Sequence, residues 1–375
     1  MKVGIDAKRI VRNGTGLGSY GRTLVNDLIR LGDSELQLRL YAPDPGHDAL
    51  RNQLIEGVTL CYPDVTMSGP LAAVRKALWR SRGIVSDLRR DGVHVYHGLS
   101  GELPLGLSTS GIAGVVTIHD LIFLRHPEYY HWLDTKIYAW KFRQTLREAR
   151  HIIAISERTR EDILHYGGSQ YADRISVIYQ SFAPRFSADV TADQKAAVRQ
   201  RYQLPSRYVL SVGTIEQRKN LALAVEAVDL LPQDIHLVAV GRQTPYVQTL
   251  PHSERLHLLS GVPDADLAVL YALAEAFVYP SRYEGFGIPI IEAIAAGLPV
   301  VACTGSCLEE AGGPYSRYVS PDDVIGMAEA LKMSLRGALG RQERIARSRQ
   351  YIRRFQGTDV ASQVAAIYRR LADNP

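Results

Sequence analysis

Glu284-Gly-Phe-Gly-Ile-Pro-Ile-Ile-Glu292 places two carboxylates around a glycine turn and the start of a helix. Before it, Ala276-Phe-Val-Tyr-Pro280 reads as a buried strand, and Pro289 stands where a first helical turn accepts proline. Gly285 and Gly287 let the backbone approach a ligand closely. A helix beginning just after them offers free N–H groups and a positive dipole end, both suited to a phosphate. Carboxylates on either side accept hydrogen bonds from sugar hydroxyls. The bland alternative is a strand–turn–helix corner with incidental glutamates.

Short apolar runs alternate with helical patterns on both sides of this segment. Val3–Ile5, Leu38–Tyr41, Val93–Tyr96, Val115–Ile118, Ile152–Ile155 and Val177–Tyr179 come first. Tyr208–Val212, Leu237–Val240, Leu256–Leu259, Phe277–Tyr279 and Val300–Ala302 follow. Such alternation predicts an α/β fold with parallel sheets covered on both faces. The break at Gln180–Phe186, which carries Pro184, divides the 375 residues into predicted domains 1–183 and 184–356. Ligands of open parallel sheets bind beyond the strand C-termini, so two such domains facing each other would form a deep cleft.

Composition is globular, 46% hydrophobic and 22% charged, and no apolar run approaches the roughly 20 residues of a membrane span. The N-terminus opens as a strand with no signal-peptide pattern. Three cysteines form no disulfide framework, so a reducing cytoplasm is expected. Cys303 and Cys307 lack a second ligand pair and read as small buried thiols.

The net charge of +5 is concentrated. Residues 70–90 hold six cations against Asp87, a local balance equal to that of the whole chain. Leu71, Val74, Leu78, Val85 and Leu88 recur there at helical spacing, with Trp79 beside them, and Gly83 would weaken a continuous helix. This basic amphipathic pattern suits peripheral contact with an anionic membrane, or equally a solvated helix covering its own domain. No recognised nucleic-acid-binding module accompanies it, so no nucleic-acid partner is expected.

Asn13–Gly21 contains a literal G-x-G-x-x-G at Gly16, Gly18 and Gly21. A dinucleotide site would need the first glycine directly after its strand and an acid ending the next strand; Arg9–Thr15 intervene, and Leu38–Tyr41 ends without an acid. Val212-Gly-Thr-Ile-Glu-Gln-Arg-Lys-Asn220 puts two adjacent cations between a strand end and a helix, where a diphosphate could be neutralised. His119-Asp120 ends the strand Val115–Ile118, and His97 ends its neighbour. Ser156 reads as a helix cap. Asp264-Ala-Asp266, the only Asp-x-Asp, reads as a cap and first turn rather than a metal pair.

Glu-x7-Glu around Gly-Phe-Gly-Ile-Pro resembles the signature of the retaining, two-Rossmann-domain (GT-B) glycosyltransferases of glycosyltransferase family 4. Gly213–Asn220 resembles the family's phosphate-binding segment, although some relatives carry arginine where this chain has Thr214. The resemblance implies that Gly16 and Gly18 belong to a flexible loop closing over the donor phosphates, and that His119 contacts the donor sugar. It implies that Gly213 and Thr214 lie at the donor, and that Arg218 and Lys219 stabilise the leaving diphosphate. Glu284 would hold sugar hydroxyls and Glu292 ribose hydroxyls, with backbone N–H groups of Phe286, Gly287 and Ile288 near sugar and phosphate. In the family the last helix, about 357–375 here, returns to the first domain.

The expected activity is metal-independent, cofactor-free transfer of a sugar, with retention, from a GDP- or UDP-sugar to a hydroxyl of a glycan or lipid-linked acceptor. Cell-surface polysaccharide synthesis at the inner face of the cell membrane is the setting this implies. The aromatic-basic run Tyr129–Arg147 joins residues 70–90 as a lipid-facing candidate. Competing readings are a GT-B nucleotide-sugar epimerase, which needs no acceptor, and a non-catalytic nucleotide-sugar-binding scaffold.

Overall fold

The structure is a computed structural model that describes residues 1–14, 16–63 and 69–373. The chain divides into two compact units, Met1–Ser181 with Phe355–Pro375, and Phe182–Arg354.

The first unit is built on a seven-stranded sheet. Its strands are β1 (Lys2–Asp6), β2 (Gln37–Tyr41), β3 (Thr59–Cys61), β4 (Val95–Gly98), β5 (Ala113–Ile118), β6 (His151–Ala154) and β7 (Ile175–Val177). Their order is β3-β2-β1-β4-β5-β6-β7, and every pair is parallel. The chain runs outward from β1 to β3, then resumes at β4 on the other side of β1. That reversal opens a crevice beyond the C-termini of β1 and β4.

Continuous burial explains the apolar runs: every residue of β5 and β6 is buried. The helix Gly16–Arg30 buries Leu24 and Leu28 in the same core as Val364 and Tyr368 of the helix Gly357–Asp373. The returning helix is locked by polar contacts as well. Tyr368 Oη lies 2.6 Å from His97 Nδ1, and His97 Nε2 lies 2.8 Å from Thr117 Oγ1. His97 is therefore a fully buried structural residue. Burying a large side chain such as Phe355 contributes roughly 1.5–3 kcal/mol.

The second unit holds β8 (Arg207–Val212), β9 (Ile235–Val240), β10 (Leu256–Leu259), β11 (Ala276–Tyr279), β12 (Val300–Cys303) and β13 (Arg317–Val319). Their order, β10-β9-β8-β11-β12-β13, is again all parallel and reverses between β8 and β11. Among the described residues no helix is long and apolar enough to cross a membrane.

Two strands escape the sequence pattern. β3 and β13 are three-residue edges with one neighbour each, so Thr59-Leu-Cys61 and Arg317-Tyr-Val319 carry no continuous apolar run. β7 also begins earlier than Val177, at Ile175.

The glycine-rich segment is not an open loop. Lys8–Arg12 and Gly16–Arg30 are helical, and Thr15 lies outside the described residues. A Cβ on Gly18 would fall 1.8 Å from the Asn13 carbonyl oxygen, so this glycine lets two backbone segments touch. Arg22 Nη1 donates to the carbonyls of Ile10 and Asn13 and fixes the turn. Gly16 is exposed at the helix start.

Residues 70–90 form no single amphipathic face. Ala72–Leu78 and Ile84–Arg90 are α-helical, and Trp79–Gly83 between them is a π-turn. Gly83 is thus accommodated without a break. Trp79, Ile84 and Leu88 are buried in their own unit, whereas Leu71, Val74 and Leu78 are exposed.

Candidate functional site

The site grows from the C-termini of β8 and β11, on either side of the reversal in the second sheet. Gly213 leaves β8 with φ +151°, and its carbonyl oxygen would lie 1.8 Å from a Cβ on Gly241. Glycine at both positions lets the ends of β8 and β9 press together. Gln217–Lys219 then makes a single 3-10 turn. Asn220 follows in the left-handed conformation, φ 54°, and its Nδ2 donates to the Pro321 carbonyl at 2.8 Å.

The second wall is the quoted segment. Gly287, at φ +119°, caps the helix Ile288–Ala295, and Pro289 sits in its first turn. Phe286 is buried. Cys307 Sγ lies 3.0 Å from the Glu284 carbonyl oxygen and 3.2 Å from that of Phe286, so the thiol pins the turn from below. Both Cys303 and Cys307 are buried free thiols. Arg282 N donates to Arg218 O at 3.0 Å, and Arg218 Nη1 donates to Tyr283 O at 2.6 Å, joining the two walls.

Between them, Glu284 bridges both cations. Its Oε1 is 2.5 Å from Lys219 Nζ, and its Oε2 is 3.1 Å from Arg218 Nη1. Arg218 also pairs with Glu216 at 2.8 Å, and Lys219 donates to Tyr279 Oη at 2.8 Å. Burial would raise the Glu284 pKa, but the charges of Lys219 and Arg218 outweigh it and hold the carboxyl at about 2. Burial likewise works against the Lys219 ammonium, and Glu284 reverses the shift so that its pKa is raised. The pocket beside Gly213, Thr214 and Lys219 is only ≈ 10 Å³, room for about one water.

Glu292 lies on the second turn of the helix Ile288–Ala295, and among the described residues no cation is in hydrogen-bonding contact with it. Burial raises its pKa to about 8, with Tyr271 Oη donating at 3.2 Å. The two glutamates of one short segment are thus held in opposite protonation states at neutral pH.

Gly213, Thr214, Arg218, Lys219, Glu284, Phe286, Gly287, Ile288 and Glu292 therefore share one unit, at the ends of neighbouring strands. His119, Gly16 and Gly18 belong to the other unit. His119 Nε2 donates to Leu99 O at 2.8 Å, and Gln180 Nε2 donates to His119 Nδ1 at 3.0 Å. Burial lowers its pKa to about 4, so the ring is neutral and its tautomer is fixed. Ser156 caps the helix Glu157–Gly167 by accepting from Thr159 N.

The residue capping Asp264–Leu273 is Pro263, not Asp264. Asp264 instead pairs with Arg185 at 2.8 Å and Asp266 with Arg201 at 2.5 Å, so each carboxylate already has a cation. Among the described residues no group of three or more His, Cys, Asp or Glu is placed to hold a metal.

Sequence reading passes over two contributors, Tyr279 and Ser306; Glu309 lies in the stretch Cys307–Gly313, which resembles a family segment at the pocket rim. Tyr279 is the last residue of its strand, and a polar side chain there was the available signal. Ser306 Oγ and Glu309 Oε2, flanking Cys307, are buried without a hydrogen-bond partner. Such orphaned polar atoms beside a carboxylate turn are what a sugar hydroxyl would satisfy.

Comparison with known proteins bears on the family and the fold. Residues 14–182 match the family described as Glycosyltransferase Family 4, and residues 194–351 match Glycosyl transferases group 1. The chain is 31% identical over 294 residues to O-antigen chain mannosyltransferase B of Escherichia coli, covering 74% of each protein. In fold it is similar to sucrose-phosphate synthase of Thermosynechococcus elongatus, with TM-score 0.77, 20% identity and all of both chains covered. It is also similar to Anabaena Alr3699/HepE solved with UDP-glucose, with TM-score 0.73, 16% identity, and 98% and 99% of the two chains covered. Two all-parallel Rossmann-like sheets, both family matches and the O-antigen relative together identify the chain as a GT-B glycosyltransferase belonging to glycosyltransferase family 4.

Proposed function

We propose that this enzyme moves a hexosyl residue from a GDP- or UDP-sugar to a hydroxyl of a lipid-linked glycan, with retention, in cell-surface polysaccharide synthesis. Likeness to the O-antigen relative favours mannose. The observation that carries the reading is the Arg218–Glu284–Lys219 cluster at the carboxyl ends of β8 and β11. Its cations offset the negative charge that builds on a departing diphosphate, a task that otherwise falls to a metal ion. No cofactor enters the reaction.

Glu284 pairs with the cations that the diphosphate needs. Donor binding exchanges partners: phosphate oxygens take Arg218 and Lys219, and Glu284 turns to the sugar hydroxyls. Glu292 accepts from the ribose hydroxyls. The backbone N–H groups of Phe286, Gly287 and Ile288 face the sugar and phosphate at the helix start. The acceptor oxygen bonds to the anomeric carbon as the bond to the diphosphate oxygen breaks. The acceptor proton passes to that departing oxygen on the same face.

Turnover of GDP-mannose and UDP-hexoses with lipid-linked glycan, in the presence of EDTA, tests this reading. The product linkage, read by NMR, should keep the donor's anomeric configuration. Inversion, or activity only with added metal, would overturn the corresponding part. Conversion of donor without any acceptor would favour an epimerase, and binding without turnover a scaffold.

A further inference from the structure

The strand β11 closes on two aromatic residues of one face, Phe277 and Tyr279. Their rings stack with centroids 5.9 Å apart and planes at 21°. Both are buried, so the stack fixes where the Tyr279 hydroxyl stands. Lys219 reaches that hydroxyl from the end of β8. Its stem passes Gly213, where an added Cβ would lie 3.8 Å from both Cε and Nζ. Nζ then donates to Tyr279 Oη at 2.8 Å, yet lies 5.0 Å from the centroid of the same ring. The ammonium therefore stands beyond the oxygen, facing its lone pairs, and not over the π-face.

The two cations of the site are held unequally. Arg218 pairs with Glu284, with the Glu216 carboxylate at 2.8 Å and with the Tyr283 carbonyl at 2.6 Å. Among the described residues the Lys219 ammonium has two polar partners, Glu284 Oε1 and Tyr279 Oη. Donor binding that draws Glu284 to the sugar leaves Arg218 anchored by Glu216 and Tyr283. It leaves Lys219 with the phenol oxygen. A flexible four-carbon stem does not aim its own charge, so that oxygen decides where the ammonium points.

A phenol suits this task because it stays neutral. Burial pushes the Tyr279 pKa up to about 12. A carboxylate in its place would cancel the charge that the diphosphate needs. A neutral acceptor orients the ammonium and leaves that charge whole.

Resting on the transfer reading above, we propose that Tyr279 is the positioning residue for Lys219. Its oxygen holds the ammonium toward the departing diphosphate while Glu284 is engaged with the sugar. Its effect passes through Lys219, not through contact with the donor.

A double-mutant cycle tests this, because a residue that acts through another has nothing left to do once that partner is gone. Turnover of GDP-mannose or a UDP-hexose with lipid-linked glycan is measured for wild type, Tyr279→Phe, Lys219→Ala and the double variant. Phenylalanine keeps the ring against Phe277 and deletes the acceptor. Tyr279→Phe should lower kcat roughly tenfold, the scale of one hydrogen bond to a charged group, with donor KM within about twofold of wild type. In the Lys219→Ala background the same substitution should change kcat by less than about twofold. Tyr208→Phe is the control: this buried phenol of the same sheet donates to Leu270 O at 2.7 Å, and its loss should lower thermal stability and leave kcat in place. Wild-type kcat in Tyr279→Phe, an undiminished effect of that substitution without Lys219, or an equal loss of kcat in Tyr208→Phe would overturn the positioning role. Absence of sugar transfer by wild type, or wild-type kcat in Lys219→Ala, would instead count against the transfer reading.

Discussion

Lys219 Nζ and Glu284 Oε1 are 2.5 Å apart across 65 residues of sequence, with Arg218 3.1 Å from the other carboxylate oxygen. Removing one member of such a buried group strands its partners. Glu284→Ala should lower stability by about 3 kcal/mol, because buried Lys219 loses its counter-charge, while Arg218 keeps Glu216. Urea unfolding monitored by circular dichroism reads this directly.

Lys219→Ala should act on turnover more than on fold, since Arg218 still pairs with Glu284. If Lys219 stabilises the departing diphosphate, kcat should fall roughly 10²- to 10³-fold. Arg218→Ala should behave alike. Near-wild-type kcat in both would remove the phosphate role.

Burial pushes the Glu292 carboxyl up to about 8 in the folded chain, from an ordinary value of 4.5. The native state thus holds a proton that the unfolded chain releases between about pH 4.5 and 8, so stability falls as pH rises through that window. The limiting slope for one such proton is about 1.4 kcal/mol per pH unit. Glu292→Gln should flatten this slope in urea midpoints measured from pH 5 to 8. Glu284 works the other way: its contribution is full above about pH 4.5 and is lost as pH falls toward 2. Ribose hydroxyls donating to Glu292 would favour its carboxylate, so nucleotide binding should release a proton and tighten as pH rises. Calorimetry in buffers of differing ionisation enthalpy counts that proton.

Tyr368→Phe removes the 2.6 Å contact to buried His97 and leaves a ring nitrogen unpaired. A loss of about 1–3 kcal/mol is expected from that desolvated group. His97 titrates at about 3, so its protonation does not mask the effect near neutral pH. Thermal unfolding of the variant at pH 7 checks it.

Gly287→Ala should both strain the φ +119° backbone and press a Cβ to 3.2 Å from Leu308. Donor affinity, read by thermal shift with nucleotide, should fall along with stability. A variant with unchanged affinity would separate the helix start from the donor.

Sequence legibility followed local physics. Strands with two neighbours, such as β5 and β11, carry unbroken apolar runs and could be read off; β3 and β13 are three-residue edges that open on Thr59 and Arg317 and could not. The turn at Gly287 and the helix start at Pro289 were visible because glycine and proline report backbone geometry locally. The glycines from Gly16 to Gly21 misled, since the same freedom that opens a loop also lets a helix pack against the Asn13 carbonyl. Arg218, Lys219 and Glu284 were each legible as ligand groups. Their mutual pairing was not, because it depends on which strand lies beside β8. In residues 70–90, the single inserted residue of a π-turn divided one apparent stripe into a buried half and an exposed half.

The helix Gly357–Asp373 contributes Val360, Val364 and Tyr368 to a core otherwise built from the first 180 residues. The second unit, by contrast, is one uninterrupted stretch, Phe182–Arg354. During synthesis the later-made unit can close its core while the earlier-made sheet still waits for the helix Gly357–Asp373 to arrive. The order of completion then reverses the order of emergence, and until the last helix docks the apolar side of Gly16–Arg30 has no cover from it.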